Sequence, residues 1–253
     1  MSAGSATLSA RERLVFPLDV PDRQTAMQLV DQLHRDVGVF KVGKQLFVEA
    51  GPEIVRAIHD RGCEVFLDLK FHDIPKTTAL ASVEATRLGV KMFTLHASGG
   101  GEMMRAASTA VDSVCQQEKL PRPILLAVTV LTSLSREDLV SVGITCSVEE
   151  HVGRLATLAC DSGMDGIVAS PLEIERIRQE CGPQPRLVTP GVRPRTADWG
   201  DQKRVRTPLE AIASGADFLV VGRPIRDAEN PQGAAQEITA EIEEGLRLRG
   251  RDK

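Results

Sequence analysis

The sequence predicts an α/β fold, a single (β/α)8 TIM barrel, on three observations. Short apolar runs rich in Val, Leu, Ile and Phe recur along the 253 residues. Amphipathic stretches separate them, and about 250 residues is the length such a barrel takes. Near-continuous apolarity suits strands covered on both faces, as in a parallel sheet.

The apolar runs come in order as RLVFPLD (13–19), VGVFKVG (37–43), CEVFLDLK (63–70) and VKMFTLH (90–96). ILLAVTVL (124–131), DGIVAS (165–170), RLVTPG (186–191) and DFLVVGR (217–223) complete the set. Between them Ala26, Leu29, Val30 and Leu33 keep the i, i+3, i+4, i+7 spacing of one helix face. Met104, Ala107, Val111 and Val114 do the same, as do Val148, Val152, Leu155 and Ala159. Gly38, Gly62, Gly89 and Gly163 fall where helices should stop before the next strand. A doubly wound open sheet fits the same alternation, but no GxGxxG turn follows the first run. With no Ser/Pro-rich linker, residues 13–248 are expected to form one barrel domain, flanked by a mobile tail (1–12) and a short C-terminal tail (249–253).

A hydrophobic content of 42% supports a sizeable core, and a formal charge of -4 gives no support for nucleic acid or an anionic membrane as partner. The five cysteines are scattered, form no CxxC pair and read as reduced cytosolic thiols. The N-terminal stretch MSAGSATLSARER lacks the apolar segment of a signal peptide, and no run approaches the ~20 residues of a membrane span. A cytoplasmic protein is expected.

In a barrel the chemistry sits at the C-terminal strand ends. Those ends carry Asp19, Lys41, Asp68 with Lys70, His96, Thr129 to Thr132, Ser170, Arg193 and Arg223. Strand alternation puts Asp68 and Lys70 on one face, where Lys41 from the preceding strand can join them. Buried charges persist when paired, so these groups read as one network, either structural or functional. Asp73 has two readings as well, because Pro75 suits a first helical turn that Asp73 would help cap. Likewise Asp19 could cap a helix starting near Pro21. His72 and His96 lack HxH or HExxH spacing, and no metal site is expected.

The segment DLKFHDIP (68–75) matches the D-x-K-x-x-D-I-P signature of the orotidine 5'-monophosphate decarboxylases. KVGKQLF, LHASGG, AVTVLTS, VTPGVR, DQKRV and VVGR follow the same family in order, so the resemblance runs from PLDV to VVGRPI. The chain resembles the bacterial stand-alone form. That resemblance implies a metal- and cofactor-independent decarboxylation of orotidine 5'-monophosphate to UMP, the last step of de novo pyrimidine synthesis. Lys70 is then the ammonium that protonates C6, within an array of Lys41, Asp68, Lys70 and Asp73. A homodimer with shared sites is implied, with Asp73 and Thr77 supplied by the second subunit, although spacing alone fits either a cis or a trans role.

Barrels commonly hold phosphate at the loops after strands seven and eight. Those loops carry Arg193, Arg195, Lys203, Arg204, Arg206 and Arg223. Any one of these could simply be solvated. The resemblance selects Arg193, Gln202, Gly222 and Arg223 as nucleotide contacts, with Asp19 at the ribose, Thr132 at the pyrimidine and Ile74 packing near the ring. Thr129 and Ser133 receive no role. Trp199, the one tryptophan, falls in the loop expected to close, and its fluorescence is expected to change with nucleotide. Two other readings remain. A magnesium-dependent sugar-phosphate enzyme of the same superfamily needs an acidic ligand near the end of strand two, where Lys41 stands and no carboxylate comes before Glu49. A non-catalytic phosphate-binding barrel has no need of both Lys41 and Lys70.

Overall fold

The computed structural model describes residues 8–194 and 206–251. Eight parallel strands pair in chain order, and the eighth returns to the first to close a barrel. The first four are β1 (Leu14–Pro17), β2 (Val39–Gly43), β3 (Glu64–Phe71) and β4 (Met92–His96). β5 (Ile124–Val128), β6 (Gly166–Val168), β7 (Arg186–Pro190) and β8 (Phe218–Val220) follow. Seven strands lie within their apolar runs, several stopping short of the polar end, and β3 runs one residue past its own, to Phe71. Thr129 has left the ladder of β5, and its hydroxyl donates to the Val168 carbonyl at 3.1 Å.

Helices cover the outside. α1 (Ala10–Arg13) precedes β1, and α2 (Arg23–Leu33), α3 (Lys44–Ala50) and α4 (Glu53–His59) lie around β2 and β3. α5 (Pro75–Arg87), α6 (Gly101–Glu118), α7 (Arg136–Ser141) and α8 (Val148–Asp161) follow. α9 (Ile174–Cys181), α10 (Pro208–Ala213), α11 (Arg223–Arg226) and α12 (Pro231–Arg251) complete the ring. Among the described residues no helix is long and apolar enough to cross a membrane. Ala26, Val30 and Leu33 of α2 and Val148, Val152, Leu155 and Ala159 of α8 are buried, as their helical spacing requires. Within the stretch read as an N-terminal tail, Ala10–Arg13 is a helical turn with a Ser9–Glu12 capping box. At the other end α12 runs through residues 249–251.

The core has two layers. The larger lies between barrel and helices, and the smaller fills the barrel interior with Val15, Val39, Phe66, Met92, Leu126, Val188 and Phe218. Side chains two residues further along a strand share its face. The next interior layer toward the C-terminal ends is therefore Pro17, Lys41, Asp68, Thr94, Val128, Pro190 and Val220. Three polar residues thus enter an otherwise apolar stack. Glycine positions differ in their reasons. Gly62, Gly89 and Gly163 have positive φ, whereas an added Cβ at Gly38 would lie 2.5 Å from the Arg11 carbonyl oxygen.

Candidate active site

A cavity of about 380 Å3 opens at the C-terminal end of the barrel. Its floor is the second interior layer, so the strand register itself sets Lys41 and Asp68 there. Asp68 accepts from Lys70 Nζ with both carboxylate oxygens at 2.8 Å. Lys41 Nζ lies 3.5 Å from Asp68 Oδ2 and 3.2 Å from Asp19 Oδ1. Asp68 thus stands between two ammonium groups, and its side chain is 12% exposed. Burial alone would push its carboxyl up, but Lys41, Lys70 and hydrogen bonds from Lys70 and Thr94 outweigh it and hold it below the usual value.

β3 is irregular here. Its pairing with β4 shifts register between Leu67 and Phe71, and Lys70 has a φ of 52°, a left-handed conformation that non-glycine residues seldom adopt. Thr94 on β4 compensates. Its buried hydroxyl accepts from the Lys70 amide at 2.9 Å and donates to Asp68 Oδ1 at 3.0 Å. The bulge, and not simple alternation, aims Lys70 back at Asp68. Backbone strain of this kind collects at functional sites.

Asp19 does not cap α2, because Asp22 does so by accepting from Thr25 N at 2.8 Å. That leaves the Asp19 side chain 61% exposed and paired with Lys41. Arg193 and Arg223 also line the cavity, Arg193 buried and Arg223 exposed. Gly222 precedes α11, and a Cβ there would meet Pro17 Cγ at 2.8 Å. Its missing side chain therefore lets β8 and β1 close together beneath the cavity.

The sequence matches the Orotidine 5'-phosphate decarboxylase / HUMPS family over residues 12–238. The chain belongs to this family. An orotidine 5'-phosphate decarboxylase from Syntrophotalea carbinolica is 55% identical over 240 residues, covering 94% of this chain and 98% of the relative. The namesake from Geobacter sulfurreducens is 55% identical over 236 residues, covering 93% and 98%. A crystal structure of orotidine 5'-phosphate decarboxylase from Lactobacillus acidophilus superposes with a TM-score of 0.81 at 34% identity, over 90% of this chain and 98% of that one.

Of the positions selected by resemblance to the decarboxylases, Asp19, Lys41, Asp68, Lys70, Thr132, Arg193, Gly222 and Arg223 all line the one cavity. Asp73, Ile74 and Thr77 do not. They are exposed on the β3–α5 connection and the first turn of α5, outside their own chain's cavity. Asp73 does not cap α5 either, since its Oδ1 accepts only from the adjacent Ile74 amide at 2.6 Å. Gln202 and Trp199, with Arg195, Lys203 and Arg204, lie outside the described residues. Arg206 is engaged elsewhere, pairing with Glu175 at 2.8 Å.

Sequence reasoning about this decarboxylase-family site missed Thr94 and Arg226. Thr94 was legible only as a polar residue inside MFTLH. Arg226 lines the cavity, donates to the Asp19 carbonyl at 3.3 Å and pairs with Asp227 at 2.7 Å. His96, at a strand end, is absent from the cavity wall and packs against His72, ring centroids 5.3 Å apart and planes tilted by 41°. Burial, then the charges of His72, Lys44 and Lys70, push it down to about 4.

Proposed function

We propose that this chain is an orotidine 5'-phosphate decarboxylase, a carboxy-lyase that makes UMP, and that Lys70 is its proton donor. The observation that carries the reading is the Lys41–Asp68–Lys70 array on the floor of a cavity that Arg193 and Arg223 also line. Breaking the bond from C6 of the pyrimidine to the carboxylate leaves an electron pair in the ring plane, outside the π system. A fixed positive charge and a proton at that carbon are what lower the barrier. Lys70 carries both on one ammonium, and the bidentate grip of Asp68 orients it. Lys41, tied to Asp19 and Asp68, adds a second fixed charge, and preorganisation spares reorganisation in the transition state.

Arg193 and Arg223 are the candidate phosphate contacts, with Arg223 presenting a guanidinium fork. Gly222 and Gln202 complete that end by resemblance, Asp19 takes the ribose and Thr132 the pyrimidine. Binding the distant phosphate would help to assemble the site around the ring. Asp73, Ile74 and Thr77 act in this reading from a second copy of the chain, in a homodimer with shared sites. Their exposure outside their own cavity supports that role, and Ile74 is 67% exposed, an apolar side chain suited to being covered.

The test follows the absorbance of orotidine 5'-monophosphate with a chelator present. Turnover should persist, and Lys70→Ala should lose at least ~10²–10³-fold in kcat. Unchanged turnover in Lys70→Ala would end the assignment. Loss of wild-type activity with chelator would point to the metal-dependent relatives of the signature. For shared sites, separately inactive Lys70→Ala and Asp73→Ala chains should recover roughly a quarter of wild-type activity when mixed and reassembled. No recovery would return Asp73 to its own chain.

A further inference from the structure

We propose that the N-terminal face of the barrel, opposite the cavity, binds a multivalent oxyanion of the phosphate class between Arg13, Arg186 and Arg249. Four guanidinium groups meet one buried carboxylate there, that of Asp217, just before β8. One of its oxygens is satisfied. Oδ2 accepts from Arg178 Nη2 at 2.7 Å and from the Leu187 amide at 2.9 Å. The other is surrounded without being bonded. Arg13, Arg186 and Arg249 approach Oδ1 at 3.8, 3.9 and 3.6 Å, each beyond hydrogen-bond distance.

The arginines come from α1, β7, α9 and α12, and their charge exceeds what Asp217 offsets. Glu12 and Asp165, on flanking elements, are committed elsewhere, to Ser9 and to Arg122 with the Leu125 amide. Arg13 is 8% exposed, and its buried Nε has no hydrogen-bond partner, a costly omission for a charged group. Burial lowers the affinity of Arg13 and Arg178 for their protons, and Arg249 and Arg186 lower it further against the pull of Asp217. Arg178 is fully occupied by Asp217 and the carbonyls of Gly182, Pro185 and Gly215. Arg13 and Arg249 each give Nη1 to a backbone carbonyl, that of Asp217 and of Ala216, both at 3.1 Å. Their remaining N–H groups, with those of Arg186, define the site.

Entry is open. Arg186 is 43% exposed, and it also borders a second cavity of about 500 Å3 together with Arg122 and Gln184. A tetrahedral oxyanion has enough acceptor oxygens for several guanidinium forks, which a chloride ion lacks. Bound there, it would tie the two ends of the described chain, α1 and α12, to β7.

The test is thermal unfolding of the full chain in inorganic phosphate, tripolyphosphate or chloride at matched ionic strength, for wild type and Arg186→Gln/Arg249→Gln. The candidate active site is the same in both proteins, so their difference reads the N-terminal face whether or not the decarboxylase assignment holds. Wild type should gain roughly 5–10 °C in Tm at a hundredfold excess of phosphate over Kd, saturably, and the double variant much less. A response to orthophosphate assigns the free ion, and a response to tripolyphosphate alone assigns a longer polyphosphate. Equal gains in both proteins, or a wild-type gain no larger than in chloride, overturn the site. Should the double variant not fold, Arg186→Gln alone, at the most exposed of the four, makes the same comparison.

Discussion

Thr94 Oγ1 sits 2.9 Å from the Lys70 amide nitrogen, at the residue where β3 turns into a left-handed conformation. The same hydroxyl donates to Asp68, so one buried side chain holds both the backbone and the counter-ion of the candidate proton donor. Thr94→Val keeps the shape and removes both bonds. It should cost ~1–3 kcal/mol in denaturant unfolding. It should also lower kcat about 10–100-fold with a smaller change in KM. Thr94→Ser should restore most of both, and a Thr94→Val enzyme with native kcat would show that the bulge positions nothing.

Asp68 gives a stability signature in acid. Its folded carboxyl titrates below the ordinary 3.8, so the unfolded chain binds the proton more readily. Its contribution is present above about pH 4–5 and is lost as pH falls through the lower folded value. Asp68→Asn should flatten that part of the stability profile. It should also destabilise the protein at pH 7 by roughly 3–5 kcal/mol, since Lys41 and Lys70 lose their common partner. Urea midpoints between pH 3 and 7 check both.

His96 titrates about 4, against an ordinary 6.5. It is therefore neutral at pH 6, and its share of the stability is complete above 6.5 and declines as pH falls toward 4. An NMR titration of the His96 ring should show no midpoint between pH 5.5 and 8, a window set by the ordinary histidine range.

Burial, then the adjacent Cys181 thiol, push Cys160 up to about 12. The thiolate is the reactive form, so Cys160 should alkylate at least ~tenfold more slowly than a free peptide thiol at pH 8. Peptide mass mapping after timed iodoacetamide treatment measures it.

Gly222→Ala tests closure of the barrel. The residue has φ -105° and ψ -88°, outside the regions alanine prefers, and Pro17 Cγ would lie 2.8 Å from the new methyl. A loss of about 1–3 kcal/mol is expected from that overpacking. An unchanged unfolding midpoint would mean that β1 and β8 yield without cost.

Much of the fold was legible because burial on both faces leaves a local mark. Seven strands lie inside their apolar runs, β3 overruns its own only by Phe71, and the helix stripes Ala26–Val30–Leu33 and Val148–Val152–Leu155–Ala159 are buried. The polar strand ends were legible for a similar reason, since charge in an apolar run stands out. Eight of the residues selected by family resemblance line the cavity. Alternation correctly put Asp68 on the inner face but could not foresee the register shift that turns Lys70, nor that Asp22 rather than Asp19 caps α2.

The amino-acid order alone therefore determined the barrel, the end of it that carries charge and the family, because hydrophobic period and motif spacing are local quantities. Which groups actually touch was decided by tertiary structure. Thr94 reaches Asp68 across 26 positions, and Arg13 reaches the Asp217 carbonyl across 204, because β8 closes on β1. Such pairs depend on strand register and barrel closure, which bring together residues whose separation along the chain carries no trace of the contact.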